Sequence, residues 1–378
     1  MAQSPPGFYG RTALSAAVLS GNLPRVQHLV RSGANLEARN ILGASPLTLA
    51  RVSGRDDILA NLRAGLASKG IQEEHVFEGS PAGVWEPRIR RSTNRADFVL
   101  SLAVLSSSVL AVGYSSGLII LHDITNRHIV KRLRGHEGLV GALLILPKPD
   151  PEPMLLASAS DDATVRIWNT VTGECTATFN HTFYVTSLAL LNDGRLASGS
   201  FDQTVRIWDL TSKTCINTLS LKNEIYSLAA LPDGGLAVGC SNGNIVLWSG
   251  DADPVRKGTL DNGTANAVYS LTLLSDFRLA AGTSSGQIKV WDIIKNICDT
   301  VLEGHKSGVW SLTPLPDGRL LSGGGDGTVK LWDRDGATAT SVKTLEGDGT
   351  SVRALAVWRD GSDLVASGYY GGRVRFWN

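Results

Sequence analysis

Methionine is almost missing from this chain, with 2 in 378 residues, and cysteine is sparse, with 4. So little methionine beside 41 glycines and 9 tryptophans argues against a helical protein and for a turn-rich β protein. The cysteines, at 175, 215, 240 and 298, form no CxxC pair, which reads as reduced thiols in the cytoplasm or nucleus. Neither charge sign is in excess: 36 basic side chains face 35 acidic ones. That excludes a general polyanion binder, which needs a cationic surplus, and a solvating acidic tail. No apolar run approaches the roughly 18 to 20 residues of a membrane span. The opening MAQSPPGFYGRTALS carries no basic-then-apolar secretory signal. No nucleic-acid partner and no membrane insertion are therefore expected, and the length predicts about two or three domains.

What the chain has instead is repetition. An aliphatic stretch ending in a marker residue recurs at His122, Trp168, Trp208, Trp248, Trp291, Trp332 and Trp377, in steps of 46, 40, 40, 43, 41 and 45 residues. Each marker follows a Gly-rich or polar turn, and before that turn come two more aliphatic runs joined by turns such as NDG and PDG. A fourth, more polar run follows the marker, as in ECTATF and TCINTL. Each unit predicts four short strands, and the units predict a sevenfold array. Four strands cannot bury both faces alone, so the units must stack around an axis as a β-propeller, leaving only short edges.

The units GHEGLVGALLIL…LASASDDATVRIWN and GHKSGVWSLTPL…LLSGGGDGTVKLWD resemble WD repeats, and the resemblance covers about residues 84–378. His136, His181 and His305 occur jointly with Asp162, Asp202 and Asp326, and with Ser158, Ser198 and Ser322, at fixed offsets. In the other four units Arg95, Leu221, Thr264 and Asp348 stand in place of the His, and Ser116, Asn242, Ser285 and Gly371 in place of the Asp. Such joint presence and absence is what a hydrogen-bonded network demands. The resemblance implies a structural Trp–Ser–His–Asp relay in three blades. The chain stops after the third strand of unit seven, so the missing outer strand is expected within 84–93, VWEPRIRRST, closing the ring.

Residues 10–42 and 43–68 form a second kind of repeat, with a period of 33. GRTALSAAVLSGNLPRVQHLVRSGANLEARN and GASPLTLARVSGRDDILANLRAGLA resemble two ankyrin repeats, though Ser15 and Thr48 replace the usual His of the opening. Pro24 is expected at the start of a second helix, where its missing donor is harmless. The expected organisation is thus a short α-helical ankyrin segment over 1–68, a linker over 69–83 and a seven-bladed WD-type propeller over 84–378. Two repeats are fewer than the roughly three that stand alone, so docking on the propeller rim or on a partner is expected.

Catalytic chemistry is not expected. GxSxG occurs as GYSSG, GCSNG and GTSSG at 113–117, 239–243 and 282–286, but each copy falls on a strand-to-strand turn, not a nucleophile elbow. There is no phosphate loop. Cys175, Cys215 and Cys298, on fourth strands spread around the ring, read as half-buried hydrophobes that converge on no metal. No cofactor is implied.

Function is expected at the channel mouth. The residue after the first Val or Ile of each innermost strand should point there: Leu100, Gly141, Thr186, Tyr226, Tyr269, Trp310 and Arg353. Beside them fall Ser115, Asp161, Phe201, Ser241, Ser284, Gly325 and Tyr370 of the turns, with Phe183 and Tyr184 of one connecting loop. Aromatics are only 6 % of the chain, yet Phe183, Tyr184, Phe201, Tyr226, Tyr269, Trp310 and Tyr370 map with Arg353 to one end of the ring. Aromatic and arginine clusters are the usual energetic centres of interfaces. The expected function is a non-enzymatic scaffold or adaptor that binds a protein or peptide at the mouth. The ankyrin pair would be a second contact surface. A substrate receptor of a ubiquitin-linked complex, or a subunit of a ciliary or ribosome-associated assembly, are the alternatives.

Overall fold

The computed structural model describes scattered positions between 14 and 62, the backbone of residues 81–85, and residues 97–146, 154–261, 265–274, 278–333, 341–359 and 364–377. Seven four-stranded antiparallel sheets form a seven-bladed β-propeller. Blade 1 comprises strands Val99–Val104, Val109–Tyr114, Ile119–Asp123 and His128–Leu133, counted a to d from the axis outwards. The a strands of blades 2 to 7 begin at Val140, Val185, Ile225, Val268, Val309 and Val352. Each a strand contacts the a strands of both neighbours, and the seventh returns to the first.

Ring closure uses a strand from far upstream. The outer strand of blade 7 is Pro81–Trp85, which pairs antiparallel with Val374–Trp377, Val84 opposite Arg375 and Trp85 opposite Val374. It starts before the expected window of 84–93 and takes three residues from the expected linker; positions 86–93, Pro87 among them, lie outside the described residues.

Burial is organised between blades. Among the described residues, seven clusters of buried apolar side chains each draw on two adjacent blades, and together they go round the ring. Glycine in strand b makes that approach possible. A Cβ on Gly199 would stand 2.5 Å from Ile225 of the next blade, one on Gly323 2.6 Å from Val352, and one on Gly368 2.5 Å from Val99. The side chain of the next a strand sits where a methyl group would otherwise be. Hydroxyls add a further bond across the same seam. Ser101 donates to the carbonyl of Val140 at 2.8 Å, Thr186 to Ile225 at 2.6 Å, Ser227 to Val268 at 2.9 Å and Ser270 to Val309 at 3.1 Å.

The three relays are present and buried. In blade 2, Trp168 Nε1 donates to Ser158 Oγ at 2.8 Å, Ser158 meets His136 Nε2 at 2.7 Å, and His136 Nδ1 meets Asp162 at 2.7 Å. The His181 and His305 relays repeat these bonds at 2.7–3.0 Å. A carboxylate at Nδ1 places the imidazole proton there and leaves Nε2 to accept from the serine. Burial opposes ionisation of Asp326, but bonds from His305, Lys306 N–H and Thr328, with the His305 charge, outweigh it and hold the carboxyl far below the usual range.

Blades without the His and Asp divide in two ways. Blade 7 keeps Trp377 Nε1 on Ser367 Oγ at 2.7 Å, and Ser367 then donates to Tyr369 Oη at 3.1 Å, so a tyrosine stands in for the histidine. In blade 1, Tyr114 meets the marker His122 at 3.5 Å, and Asp97 accepts from Ser115 at 2.8 Å and from Ser116. In blades 4 and 5 the serine position holds Val238 and Ala281, and Trp248 Nε1 and Trp291 Nε1 are buried without a partner.

The fourth-strand cysteines need a correction. Cys175, Cys215 and Cys298 are exposed and only Cys240 is buried. Outer strands bury little except one large apolar residue near their end, Phe179 in Cys175–Asn180 and Leu219 in Thr214–Ser220.

Near the N-terminus, Leu23–Arg31 is a helix capped by Asn22, whose Oδ1 accepts from Arg25 N–H at 3.0 Å. Pro24 lies in its first turn, as expected, and His28 and Arg31 complement the dipole at its end. Val26 is buried with Leu14, Ala17 and Val18 of the first copy and with Ile58 and Leu62 of the second. Most of the second copy, 43–68, lies outside the described residues. No helix among the described residues is long and apolar enough to cross a membrane.

Two substitutions test the relay. Asp326→Ala strands a buried histidine and should lower stability by about 2–3 kcal/mol at pH 7. Because the folded carboxyl ionises below the unfolded one, its contribution is complete above about pH 4 and fades as pH falls further, so wild type and variant should converge in acid melts. Ala281→Ser gives Trp291 Nε1 an acceptor, as Ser158 does for Trp168. It should add about 1 kcal/mol, read as a rise in thermal midpoint.

Candidate interaction surface at the channel mouth

In every blade the pairing of strands a and b slips by one residue, always at the second position of strand a. Val185 pairs with Ser200 and Ser187 with Gly199, which leaves Thr186 as a bulge. The same slip leaves out Leu100, Gly141, Tyr226, Tyr269, Trp310 and Arg353. A bulge bends the strand and re-aims one side chain. These seven are the positions expected to face the mouth.

A second sevenfold feature ties the neighbouring turns to them. The first residue of each b–c turn donates its N–H to the carbonyl just ahead of strand a: Phe201 to Tyr184, Tyr370 to Ser351, Ser115 to Phe98 and Asp161 to Leu139, all at 2.9–3.0 Å. Turn and lead-in loop are thereby held together at the same end of each blade.

The predicted residues come together as one belt. Phe183 stacks on Tyr184 at 4.2 Å between ring centroids, Tyr184 lies 6.2 Å from Phe201, and Phe201 meets Tyr226 edge-on at 4.8 Å. Tyr226 then contacts Tyr269 at 5.1 Å, and Tyr269 stacks on Trp310 at 4.0 Å with the rings 7° apart. The Arg353 guanidinium covers the Trp310 ring at 3.7 Å and lies 5.4 Å from the Tyr370 ring. Phe98, which sequence reasoning missed, extends the belt by stacking on Tyr370 at 4.0 Å. The signal was available: Phe98 precedes its first strand residue just as Tyr184 does. The belt spans blades 3 to 7 and 1.

Phe183, Tyr184 and Tyr370 are exposed, and the remaining five predicted residues are half-buried. Blade 2 interrupts the belt with Gly141 and Asp161. Burial, aided by the charge of Asp162, pushes the Asp161 carboxyl up to about 6. Burial also lowers the pKa of Arg353, against opposing contributions from Tyr370 and Tyr269. The serines of the three GxSxG segments, Ser115, Ser241 and Ser284, sit on strand-to-strand turns. No cluster of three or more His, Cys, Asp or Glu side chains that could hold a metal occurs among the described residues.

Known proteins share this architecture. The family described as IFT122 first beta-propeller matches residues 104–378, and the ankyrin repeat family matches residues 9–41. The WD repeat-containing protein 89 homolog of Dictyostelium discoideum is 33% identical over 96 residues, 25% of each chain. The WD repeat-containing protein WDS homolog of Arabidopsis thaliana is 30% identical over 140 residues, 35% of this chain and 25% of the relative. The ribosome biogenesis protein YTM1 of Yarrowia lipolytica is 39% identical over 94 residues, 24% of this chain and 18% of the relative. These alignments take in a quarter or less of each relative's length. The family match is of another order, because it runs from the first innermost strand through every later blade, and the chain belongs to the IFT122 first beta-propeller family.

Proposed function

We propose that the chain is a non-enzymatic interaction module that holds a protein or peptide partner at the propeller mouth. The observation that carries the reading is the unbroken belt from Phe183 to Phe98, built from the bulge residues Tyr226, Tyr269, Trp310 and Arg353 and from the turns and lead-in loops beside them. Rings on a rigid frame lose little conformational entropy on binding and offer large apolar area, which is why such residues dominate binding energy. Phe183, Tyr184, Phe201, Tyr226, Tyr269, Trp310, Arg353 and Tyr370 are the proposed contact residues. The ankyrin segment over 1–68 is a second contact surface, joined by a short linker to the propeller. Two surfaces on one assembly would raise avidity through effective concentration. A second reading, a subunit of a ribosome-associated assembly, rests on the likeness to a relative named for ribosome biogenesis. Affinity purification separates the two by whether ribosomal proteins or one dominant partner co-purify.

Asp161 fits the same reading from the side of stability. Its folded carboxyl titrates near 6, above the ordinary aspartate value, so at neutral pH its ionisation costs folding energy, as functional sites commonly do. The cost is complete above about pH 6 and vanishes below the unfolded pKa near 4. Asp161→Asn should therefore raise the thermal midpoint at pH 7, by about 1–2 kcal/mol of stability once solvent screening of this half-buried group is discounted, and change nothing at pH 3.5. Trp310→Ala should weaken capture of the co-purified partner by about 2 kcal/mol or more, with a midpoint within a few degrees of wild type. Unchanged affinity in that variant would remove the mouth from the reading.

A further inference from the structure

Arg353 is the only cation among the belt residues, and rings, not carboxylates, flank it. Among the described residues it forms no ion pair, and its Nε is buried without a hydrogen-bond acceptor. A buried donor without an acceptor is costly, and the two flanking rings compensate only the face of the guanidinium. Stacking on Trp310 at 3.7 Å leaves the in-plane N–H groups of the two Nη atoms, which are not among the buried unpaired atoms, as the directions still open. An arginine held flat in this way presents a pre-set fork, which matches a carboxylate with two parallel bonds.

We propose that Arg353 receives a carboxylate from an acidic segment of the bound partner, so that the mouth is a site for acidic peptides with apolar flanks. This deepens the reading of the mouth as a peptide site and rests on it. The occupant follows from charge complementarity. A cationic side chain would meet the guanidinium head-on and find the Trp310 face already covered. An uncharged apolar segment would bury the guanidinium further without pairing it, at a cost that only an acceptor offsets. The acidic segment supplies the carboxylate of an Asp or Glu side chain; a free chain terminus, which presents the same two oxygens, is the alternative that the test separates.

The full chain, immobilised, is probed with fluorescent peptide pools whose central residue is fixed as Glu, Gln, Lys or phosphoserine between randomised apolar positions. All have blocked ends, and a fifth pool has a Gln centre and a free C-terminal carboxylate. The Glu pool is expected to be retained at least tenfold better than the Gln and Lys pools. A gain confined to the fifth pool would move the carboxylate to a chain terminus and overturn the assignment to an acidic segment. Arg353→Gln should erase the preference for the carboxylate while leaving weak apolar binding. Arg353→Lys, which keeps the charge without the fork, should retain the preference with affinity lowered about fivefold; melts confirm that both variants fold. Equal retention of Glu and Gln pools by wild type, a preference for Lys or for phosphoserine, or a preference that survives in Arg353→Gln overturns the inference. If Trp310→Ala lowers retention of every pool while the centre makes no difference, the mouth stands and only the role of Arg353 falls. If no pool is retained, the mouth reading itself fails.

Discussion

The contact between a strand-b glycine and the first aliphatic residue of the next innermost strand governs this molecule. Ile225 against Gly199, Val352 against Gly323 and Val99 against Gly368 leave no room for a single methyl group. At six of the seven seams the aliphatic side chain thus packs directly against backbone, Ala159 of blade 2 being the exception, and the last such contact joins blade 7 to blade 1. The buried clusters between blades fill the space that these contacts leave, and the hydroxyl bonds from Ser101, Thr186, Ser227 and Ser270 fix the register.

The relays lie further out and answer a different demand. Each buries an imidazole and an indole N–H that must be paired, and each blade meets the demand separately. Blades 2, 3 and 6 use His and Asp, and blade 7 uses Tyr369. Blades 4 and 5 leave the indole N–H unpaired. That a closed ring tolerates two such defects shows that closure rests on the packing between blades and not on any one relay.

Much of this was legible because repetition lets one chain act as its own alignment. The spacing of the markers gave the blade count, the joint occurrence of His, Asp and Ser gave the relays, and a fixed offset from the first strand residue located the mouth. Features that break the pattern were harder to read. PAGVW carries no alternation to announce a strand, so the closing segment was expected too late in the chain. Tyr369 occupies a position filled by Ser160, Ser200 and Gly324 in the relay blades, and the one shared residue type, Tyr114, stands in blade 1 beside a marker that is not tryptophan. Phe98 lay one residue outside the strand that was read. The exposure of Cys175, Cys215 and Cys298 depends on the outermost strand having no further sheet beyond it, which residue type does not encode.

The slip in pairing explains why a uniform frame can carry a particular surface. Around the bulge the flanking residues vary little from blade to blade: Val or Ile before it, Ser or Ala after it. The first must meet a strand-b glycine of the neighbouring blade, or Ala159 in blade 2, and the second must pair across the ladder opposite a small residue. Between them stand Leu100, Gly141, Thr186, Tyr226, Tyr269, Trp310 and Arg353, which share neither size nor polarity. A position excluded from the ladder escapes the pairing constraint, and except at Thr186, whose hydroxyl bonds Ile225 across the seam, its side chain is not one of those that fix the register between blades. The mouth is thus the place in each repeat where side-chain identity is freest of the fold. Here that freedom has gone to adjoining aromatic rings and one stacked guanidinium on consecutive blades, and the architecture alone requires neither.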